Sequence, residues 1–390
     1  MNFVRKKEGL IYIIIIILLS TISARSVNNM ISTTIPLLSK YELSMNDETV
    51  GLLSASFSLA TLIATSLINV FLQSSKRRIA FILSSILVIP ILVLFYISNA
   101  VTIWLVVPIT GILYGFIMPN LVTFASISGY DKKSSERLLN IYSTSLSLSL
   151  IIGPILETLL LKSYTYRDIF LLFLPLSLPL AFLSRTVKFP EVKNEVKGFN
   201  TLKNKSLIAS ILAITSYNIP FAVITTFIAI YAKELFNLSS FEAYSVFIPF
   251  FTLSFITRFL MSIKPFRDLR RPLLISIMVT IIGIIVVSLA PNYTILLVGM
   301  FILGIPHGSI FPISTVMISR GTNIAERNSA NSFFLAYNNV LFTISPAIYG
   351  YLLYILESNY RLAFMTLLLP VIVSTILLIK VAWKDKVMLG

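Results

Sequence analysis

The sequence predicts an all-α, polytopic membrane protein, with twelve transmembrane helices in two pseudo-symmetric six-helix bundles. Three observations predict it. The 390 residues are 56% hydrophobic and only 12% charged, against about 45–50% and about 25% in soluble domains. Apolar stretches of about 20 residues, the length that crosses a ~30 Å hydrocarbon layer, recur along the whole chain. The second half of the chain echoes the first at a fixed spacing. Too little polar surface remains to cover a water-soluble body. A disordered tail, a coiled coil and a disulfide-stapled secreted domain are excluded.

The spans fall at 9–37, 48–73, 78–98, 101–127, 138–161, 168–185, 207–232, 240–263, 272–290, 293–318, 329–355 and 361–380. Barrel strands would alternate apolar and polar residues, and the run from Ile11 to Leu19 does not. Helices also satisfy every backbone group inside lipid. The start, with Arg5, Lys6 and Lys7 before an apolar run, has the outline of a signal peptide. The run continues past Ala24 without a small-residue cleavage site, so it reads as a retained first helix. The most polar stretch holds Lys188, Glu191, Lys193, Glu195 and Lys197. Three divisions follow: a six-helix bundle over 1–185, a cytoplasmic linker over 186–206 and a second bundle over 207–390.

Charge sets the orientation. With the N-terminus inside, 24 of the 31 Lys and Arg residues fall on inner segments and five on outer ones. Arg25 and Arg258 lie within spans. This satisfies the positive-inside rule and places both termini in the cytoplasm of a multi-pass plasma-membrane protein. The net charge of +15 is therefore topological, and nucleic acid is not expected as a partner. With no cysteine and one histidine, His307, thiolate and poly-histidine metal sites are excluded. No cofactor or metal is expected.

The internal repeat has an offset of 193. Arg77-Arg78 matches Arg270-Arg271, and Gly115-x-x-x-Pro119 matches Gly308-x-x-x-Pro312. Glu136-Arg137 corresponds to Glu326-Arg327, and Pro154 to Pro346. Two six-span halves of like orientation are a transporter design with the site near the midplane. Over essentially its whole length the sequence resembles the major facilitator superfamily. Ile35-Pro36-Leu37-Leu38 followed by Val50-Gly51-Leu52-Leu53 and Ser56 looks like the family's passage from span 1 to span 2. Gly111-x-x-x-Gly115-x-x-x-Pro119 looks like span 4, Glu136-Arg137 like the inner loop before span 5, and Gly153-Pro154 like the antiporter motif of span 5. The family's loop between spans 2 and 3 carries a Gly and an Asp where this chain has Asn69 and Gln73. Its glycine pair after Gly153-Pro154 is here Glu157-Thr158.

Polar side chains deep in lipid are expensive and should face the bundle interior or a wet cavity. Arg25 shares a helical face with Asn28, Asn29 and Ser32 and reads as an anchor for an anion or hydrogen-bonding solute. A satisfied structural arginine is the bland alternative. Asn218 lies opposite Arg25 by the repeat, with Phe221 and Thr225 on one face, and Tyr217-Asn218-Ile219-Pro220 suggests a helix break. Gly153, Pro154 and Pro346 mark further breaks. Glu157 is the carboxylate inside a span, a proton-coupling candidate that could pair with Arg25. His307 is the runner-up for coupling and a candidate for the cavity. Tyr114 in span 4 and Tyr337 and Asn338 in span 11 are candidate cavity walls. Arg258 reads as snorkelling to the inner interface, and Gly111 and Gly115 as a close helix contact. Arg77, Arg78, Glu136, Arg137, Arg270, Arg271, Glu326 and Arg327 are candidates for conformational contacts on the cytoplasmic side.

No phosphate-cradling G-x-x-x-x-G-K-[ST] loop is present, and no catalytic set supports an enzyme. The expected function is secondary active transport of a small organic solute by alternating access, driven by protons, with a polar or anionic metabolite favoured by Arg25. The alternatives are a multidrug efflux proton antiporter and, in another class, a non-transporting membrane sensor or assembly factor on the same scaffold. The expected partners are the small-molecule substrate, protons and the lipid bilayer, with the chain a monomer.

Overall fold

The computed structural model describes residues 2–129, 132–189, 199–263, 266–322 and 324–383. The side chains of 2–8, 70, 132–133, 135–136, 199–200, 262 and 324–329 lie outside that description. Every described element is helical, and twelve helices stand where twelve spans are expected. They are α1 (Asn2–Leu37), α2 (Asp47–Leu62), α3 (Ser74–Ile97), α4 (Ile103–Ile127), α5 (Lys132–Leu160) and α6 (Tyr166–Leu172 with Leu174–Leu183). Then come α7 (Lys205–Phe236), α8 (Ser240–Ser245 with Phe247–Ile263), α9 (Arg270–Ser288), α10 (Tyr293–Gly321), α11 (Ile324–Ile355) and α12 (Tyr360–Thr366 with Leu368–Ala382). Eleven of these stretches are long and apolar enough to cross a membrane, and α11 adds 32 helical residues.

Local chemistry starts and stops these helices. Thr165 with Asp168 and Ser239 with Glu242 form capping boxes at the starts of α6 and α8, each satisfying two orphan donors. Asn204, Asn292 and Asn359 cap α7, α10 and α12, and Asn237 closes α7 in the left-handed conformation. The α6 discontinuity coincides with Pro175, which has no N–H to continue the ladder.

Two compact units result: Met1–Ser44 with Ser56–Lys193, and Met45–Ala55 with Asn194–Gly390. In the first, α1 lies along α5 and α6, α3 packs on α4 and α6, and α4 on the end of α2. In the second, α7 lies along α11 and α12, α9 packs on α10 and α12, and α10 on α8. The pairings correspond when helix number is raised by six.

The correspondence holds residue by residue. A Cβ on Gly111 would lie 2.3 Å from the Phe57 carbonyl oxygen, and a Cβ on Gly304 would lie 2.5 Å from that of Phe250. A Cβ on Gly115 would meet the Thr61 oxygen at 2.9 Å, and one on Gly308 the Ser254 oxygen at 2.4 Å. All four contacts obey the offset of 193. Each Gly-x-x-x-Gly thus lets two backbones touch, the role that small residues have where lipid removes the hydrophobic drive for helix pairing. Pro119 deprives the Gly115 carbonyl of its helical partner, and Thr65 Oγ1 donates to it at 3.1 Å.

A further repeated device escaped the sequence reading. Arg167 Nη1 donates to the Tyr96 and Ser98 carbonyls at 2.6 Å each. Its counterpart Arg361 donates through Nη2 to the Ala290 carbonyl at 2.9 Å. In both units an arginine at the start of the sixth helix closes the end of the third. Tyr166-Arg167 and Tyr360-Arg361 are the sequence signal, at an offset of 194.

Candidate functional site

In the first unit the polar candidates sit on α1, α4 and α5. Arg25 is half-buried, and its electrostatic neighbour is Tyr142 of α5. Among the described residues no carboxylate lies within ion-pair distance of Arg25. One turn further along α1, Asn28 Oδ1 and Asn29 Nδ2 are buried with no hydrogen-bond partner among those residues. The Tyr114 hydroxyl of α4 is in the same condition. Buried amide and hydroxyl groups without partners are rare in folded proteins, because each forfeits its hydration. These groups comprise three kinds of donor (guanidinium, amide N–H and phenol) and one amide-oxygen acceptor.

Glu157 does not meet Arg25, as the sequence reading had it. It is fully buried and accepts a hydrogen bond from Thr34 Oγ1. Thr34 lies nine residues past Arg25, roughly 13 Å further along the helix axis. The reason is register. α1 and α5 run side by side with Ser26 Oγ donating to the Ser149 carbonyl at 3.3 Å, and the same spacing sets Glu157 opposite Thr34. Thr158 Oγ1 donates to the Pro154 carbonyl at 2.6 Å.

In the second unit the structure brings Asn218 and Asn338 together: the Asn218 amide donates to Asn338 Oδ1. Three residues earlier on α7, Thr215 Oγ1 and the Tyr337 hydroxyl are 2.7 Å apart. These two bonds tie α7 to α11 and use polar groups that the sequence assigned to a cavity wall. His307 stands in an aromatic cluster, with ring centroids 4.3 Å from Phe221 and 5.1 Å from Phe250. Tyr217, at 5.6 Å from His307, joins the cluster with a buried hydroxyl that has no partner among the described residues. The sequence reading missed both Tyr142 and Tyr217. Tyr217 adjoins Asn218, but Tyr142 has no motif around it.

The expected helix breaks at Pro154, Pro220 and Pro346 are absent, since α5, α7 and α11 run through them. One proline removes one hydrogen bond and shifts one carbonyl, and packed neighbours hold the helix on either side. Gly153 packs on Ser26 without crowding, a Cβ there lying 3.4 Å from the nearest atom. Arg258 does not simply snorkel: its Nη2 donates to the His307 carbonyl at 3.3 Å. Arg258 stands at the repeat position of Thr65, whose hydroxyl serves α4 in the same way.

The basic loop residues act as staples. Arg77 Nη2 donates to the Leu72 carbonyl at 3.2 Å, and Arg78 donates to the Val187 and Arg185 carbonyls at 3.0 Å each. Arg270 forms a fork on Asp268, with Nη2 2.8 Å from Oδ2, and this partner lowers the Asp268 carboxyl to about 2. Arg320 donates to the Phe266 and Arg267 carbonyls at 2.8 Å. Arg137 and Arg271 are exposed. The side chains of Glu136, Glu326 and Arg327 lie outside the described residues. At Asn69, where the resemblance expects a glycine, the side-chain Oδ1 accepts from the Asn120 amide at 2.9 Å. Among the described residues, no three His, Asp or Glu side chains gather as a metal site.

Comparison with known proteins agrees with this architecture. A bacterial homologue of the human lysosomal transporter Spinster, solved inward-facing and occupied, has a TM-score of 0.71 at 13% identity, covering 97% of this chain and 98% of its own. A variant of the nucleoside transporter NupG gives 0.72 at 13% identity, covering 95% and 100%. The unoccupied inward-facing Spinster homologue gives 0.67 at 14%, covering 97% and 98%. No curated protein matches the chain by sequence at a significant level. At such identities the structural likeness speaks for the fold alone. The family match is independent of it and spans residues 17–267 and 266–387. Twelve helices in two repeated sets of six, and a family match along nearly all of both, make this chain a member of the Major Facilitator Superfamily and a non-enzymatic secondary transporter.

Proposed function

We propose that the transported solute is a small polar or anionic organic molecule, that Arg25 is its anchor, and that Glu157 carries the coupling proton. Arg25 carries the reading. A guanidinium at the centre of a transmembrane helix costs about 2.5–3.5 kcal/mol on insertion scales. Here no acidic side chain among the described residues offsets it, while the neighbouring Asn28 and Asn29 hold amide atoms in reserve. A carboxylate or phosphate oxygen would accept from Arg25 and Asn29, and a hydroxyl on the same solute would donate to Asn28 Oδ1.

The orientation that fits the basic residues has both termini in the cytoplasm and the chain in the plasma membrane as a monomer. Residues 186–206 then link two six-helix bundles that move by alternating access. A second reading, multidrug efflux, is favoured by the aromatic cluster of Tyr217, Phe221, Phe250 and His307, whose rings suit apolar ligands. A thermal-shift screen of purified protein separates the two. A ligand that binds the folded state raises its apparent stability. The panel contains carboxylates, sugar phosphates, nucleosides and hydrophobic cationic drugs. Stabilisation by anions, lost in Arg25→Ala and retained in Phe221→Ala, supports the first reading. Stabilisation by drugs alone, insensitive to Arg25→Ala, overturns it. Counterflow of the stabilising compound in proteoliposomes then tests transport, and its absence for every stabilising compound favours a sensor.

A further inference from the structure

Charge divides the first unit into two poles. Among its described residues the carboxylates are Glu42, Glu157 and Asp168. Asp168 stands in the first turn of α6, and Glu42 pairs with the neighbouring Arg167 at 3.5 Å. Glu157 lies in the last turn of α5, beside Thr34 near the end of α1. The far end of α6, roughly 25 Å away by helix rise, has the opposite character. There Arg185 and Lys188 follow α6, and Lys76, Arg77 and Arg78 lie in the first turns of α3. Arg78 joins the two groups, since its Nε donates to the Val187 carbonyl and its Nη2 to the Arg185 carbonyl, at 3.0 Å each. Five cations gather at one corner of the unit, and none of its described carboxylates lies at that end.

The corner is built from packed parts. The chain leaves α6 in extended conformation at Val187, whose side chain is fully buried. Phe189 rests edge-on against Phe81 of α3, with ring centroids 5.9 Å apart. Lys188, held between these two anchors, is exposed, as are Lys76 and Arg185. Arg77 Nε is buried with no hydrogen-bond partner among the described residues. Next to the cations the surface turns apolar: Phe182, one turn before Arg185, is 72% exposed, and Ile79, beside Arg78, is 57% exposed.

The repeat shows that helix packing does not require these charges. In the second unit Arg270 is neutralised by Asp268, and the position of Asp268 holds Ser75 in the first. Lys76, Arg185 and Lys188 have Leu269, Leu378 and Val381 as their counterparts. The same helices pair in both units. Membrane topology selects how many basic residues a loop carries. It does not select their convergence from segments 107 residues apart.

We propose that this corner binds the headgroup of an anionic phospholipid, with the phosphate held by the cations of α3 and of the segment after α6 and the acyl chains lying along Phe182 and Ile79. A guanidinium fork matches two phosphate oxygens. Basic residues at the bilayer surface attract anionic lipid, and the exposed apolar side chains beside them suit its tails. The site is separate from Arg25 and stands whatever solute is carried.

Native mass spectrometry of the full chain in detergent counts bound lipids and measures their affinities. Phosphatidylglycerol and phosphatidylcholine with identical chains are the probes. Phosphatidylglycerol should bind at least about tenfold more tightly. Lys76→Gln, Arg185→Gln and Lys188→Gln together should weaken its binding at least about tenfold, and Lys188→Gln alone about fivefold, at the strength of one basic residue near a lipid surface. The single change, at an exposed side chain, keeps the test valid if the triple variant fails to fold. A control removes three exposed cations from the second unit, Arg267→Gln, Arg271→Gln and Lys380→Gln, and should bind as the parent does. Equal affinity of the parent for both lipids overturns the proposal. Equal losses in the two triple variants also overturn it, because attraction would then follow net charge alone. Displacement of the lipid by glycerol phosphate at the lipid's own concentration overturns it as well, since the tails would then contribute nothing.

Discussion

Arg25 and Glu157 show how one ionisable group within a span differs from another. Glu157 is held by Thr34 within the α1–α5 seam, so its side chain joins two helices whatever else it does. Glu157→Gln keeps a carbonyl oxygen to accept the Thr34 hydroxyl and removes the titrating group. It should leave the melting temperature within a few degrees of the parent and abolish the dependence of uptake on a pH gradient. Uptake that follows the gradient as before would remove Glu157 from coupling and leave His307 to be tested. Arg25 has no such protein partner among the described residues. Arg25→Ala should weaken binding of an anionic solute by about 10–100-fold, the equivalent of a lost hydrogen bond to a charged group at about 1.5–3 kcal/mol, without loss of the fold. Isothermal titration with the compound found by thermal shift checks it. Asp268 makes a pH prediction of the opposite kind. Its carboxyl is lowered from 3.8 to about 2 by Arg270. A depressed value contributes stability that is present above 3.8 and is lost as pH falls through about 2. Any destabilisation by Asp268→Asn should therefore be constant between pH 5 and 8 in thermal unfolding. A difference that varies across that window would mean that the ion pair is not what sets this carboxyl.

At the scale of elements, glycines divide by what faces them. Adding a methyl at Gly111, Gly115, Gly304 or Gly308 forces carbonyl oxygens or Cβ atoms of the facing helix to move, since all four sites have contacts under 3.0 Å. Overpacking of this kind costs about 1–3 kcal/mol. Gly153 has only ordinary contact, at 3.4 Å, and alanine is the better helix former by roughly 0.5–1 kcal/mol. Gly115→Ala and Gly308→Ala should lower the melting temperature, while Gly153→Ala should match or raise it. Equal losses at all three would show that helix contact is not what these glycines provide. The Gly-x-x-x-Gly pairs were legible because period and composition reveal them. The proline positions were legible too, but their consequence was not. A proline states that one N–H is missing and leaves open whether neighbours will hold the helix straight. The pairs Asn218–Asn338 and Thr215–Tyr337 depend on residues about 120 positions apart, and no local pattern encodes which polar groups will meet.

For the whole molecule, hydropathy and the offset of 193 made twelve helices and their repetition in two sets of six readable, because lipid punishes every departure from helix. What escaped that reading is a place where the repeat fails. Met45–Ala55 groups with the second set of helices, where Asp47 accepts from the Ser358 and Tyr360 hydroxyls and Gly51 packs on Pro346 and Gly350, all more than 290 residues away. The positions of Asp47 and Gly51 in the second half hold Ser240 and Tyr244 at the same offset, so the repeat gives no hint of the contact. A consequence follows for the isolated halves. A fragment of residues 1–193 retains the internal contacts of α1, α3, α4, α5 and α6 but deprives the start of α2 of its seat. Its backbone there should open and close locally at low cost, as segments with few buried contacts do. Limited proteolysis in nanodiscs should cut the fragment between residues 40 and 56 at least about tenfold faster than the full chain, while co-expression with residues 194–390 restores protection. Cleavage at equal rates would mean that the first turns of α2 draw no stability from the second unit, and the contacts of Asp47 would then be too weak to hold the helix in place.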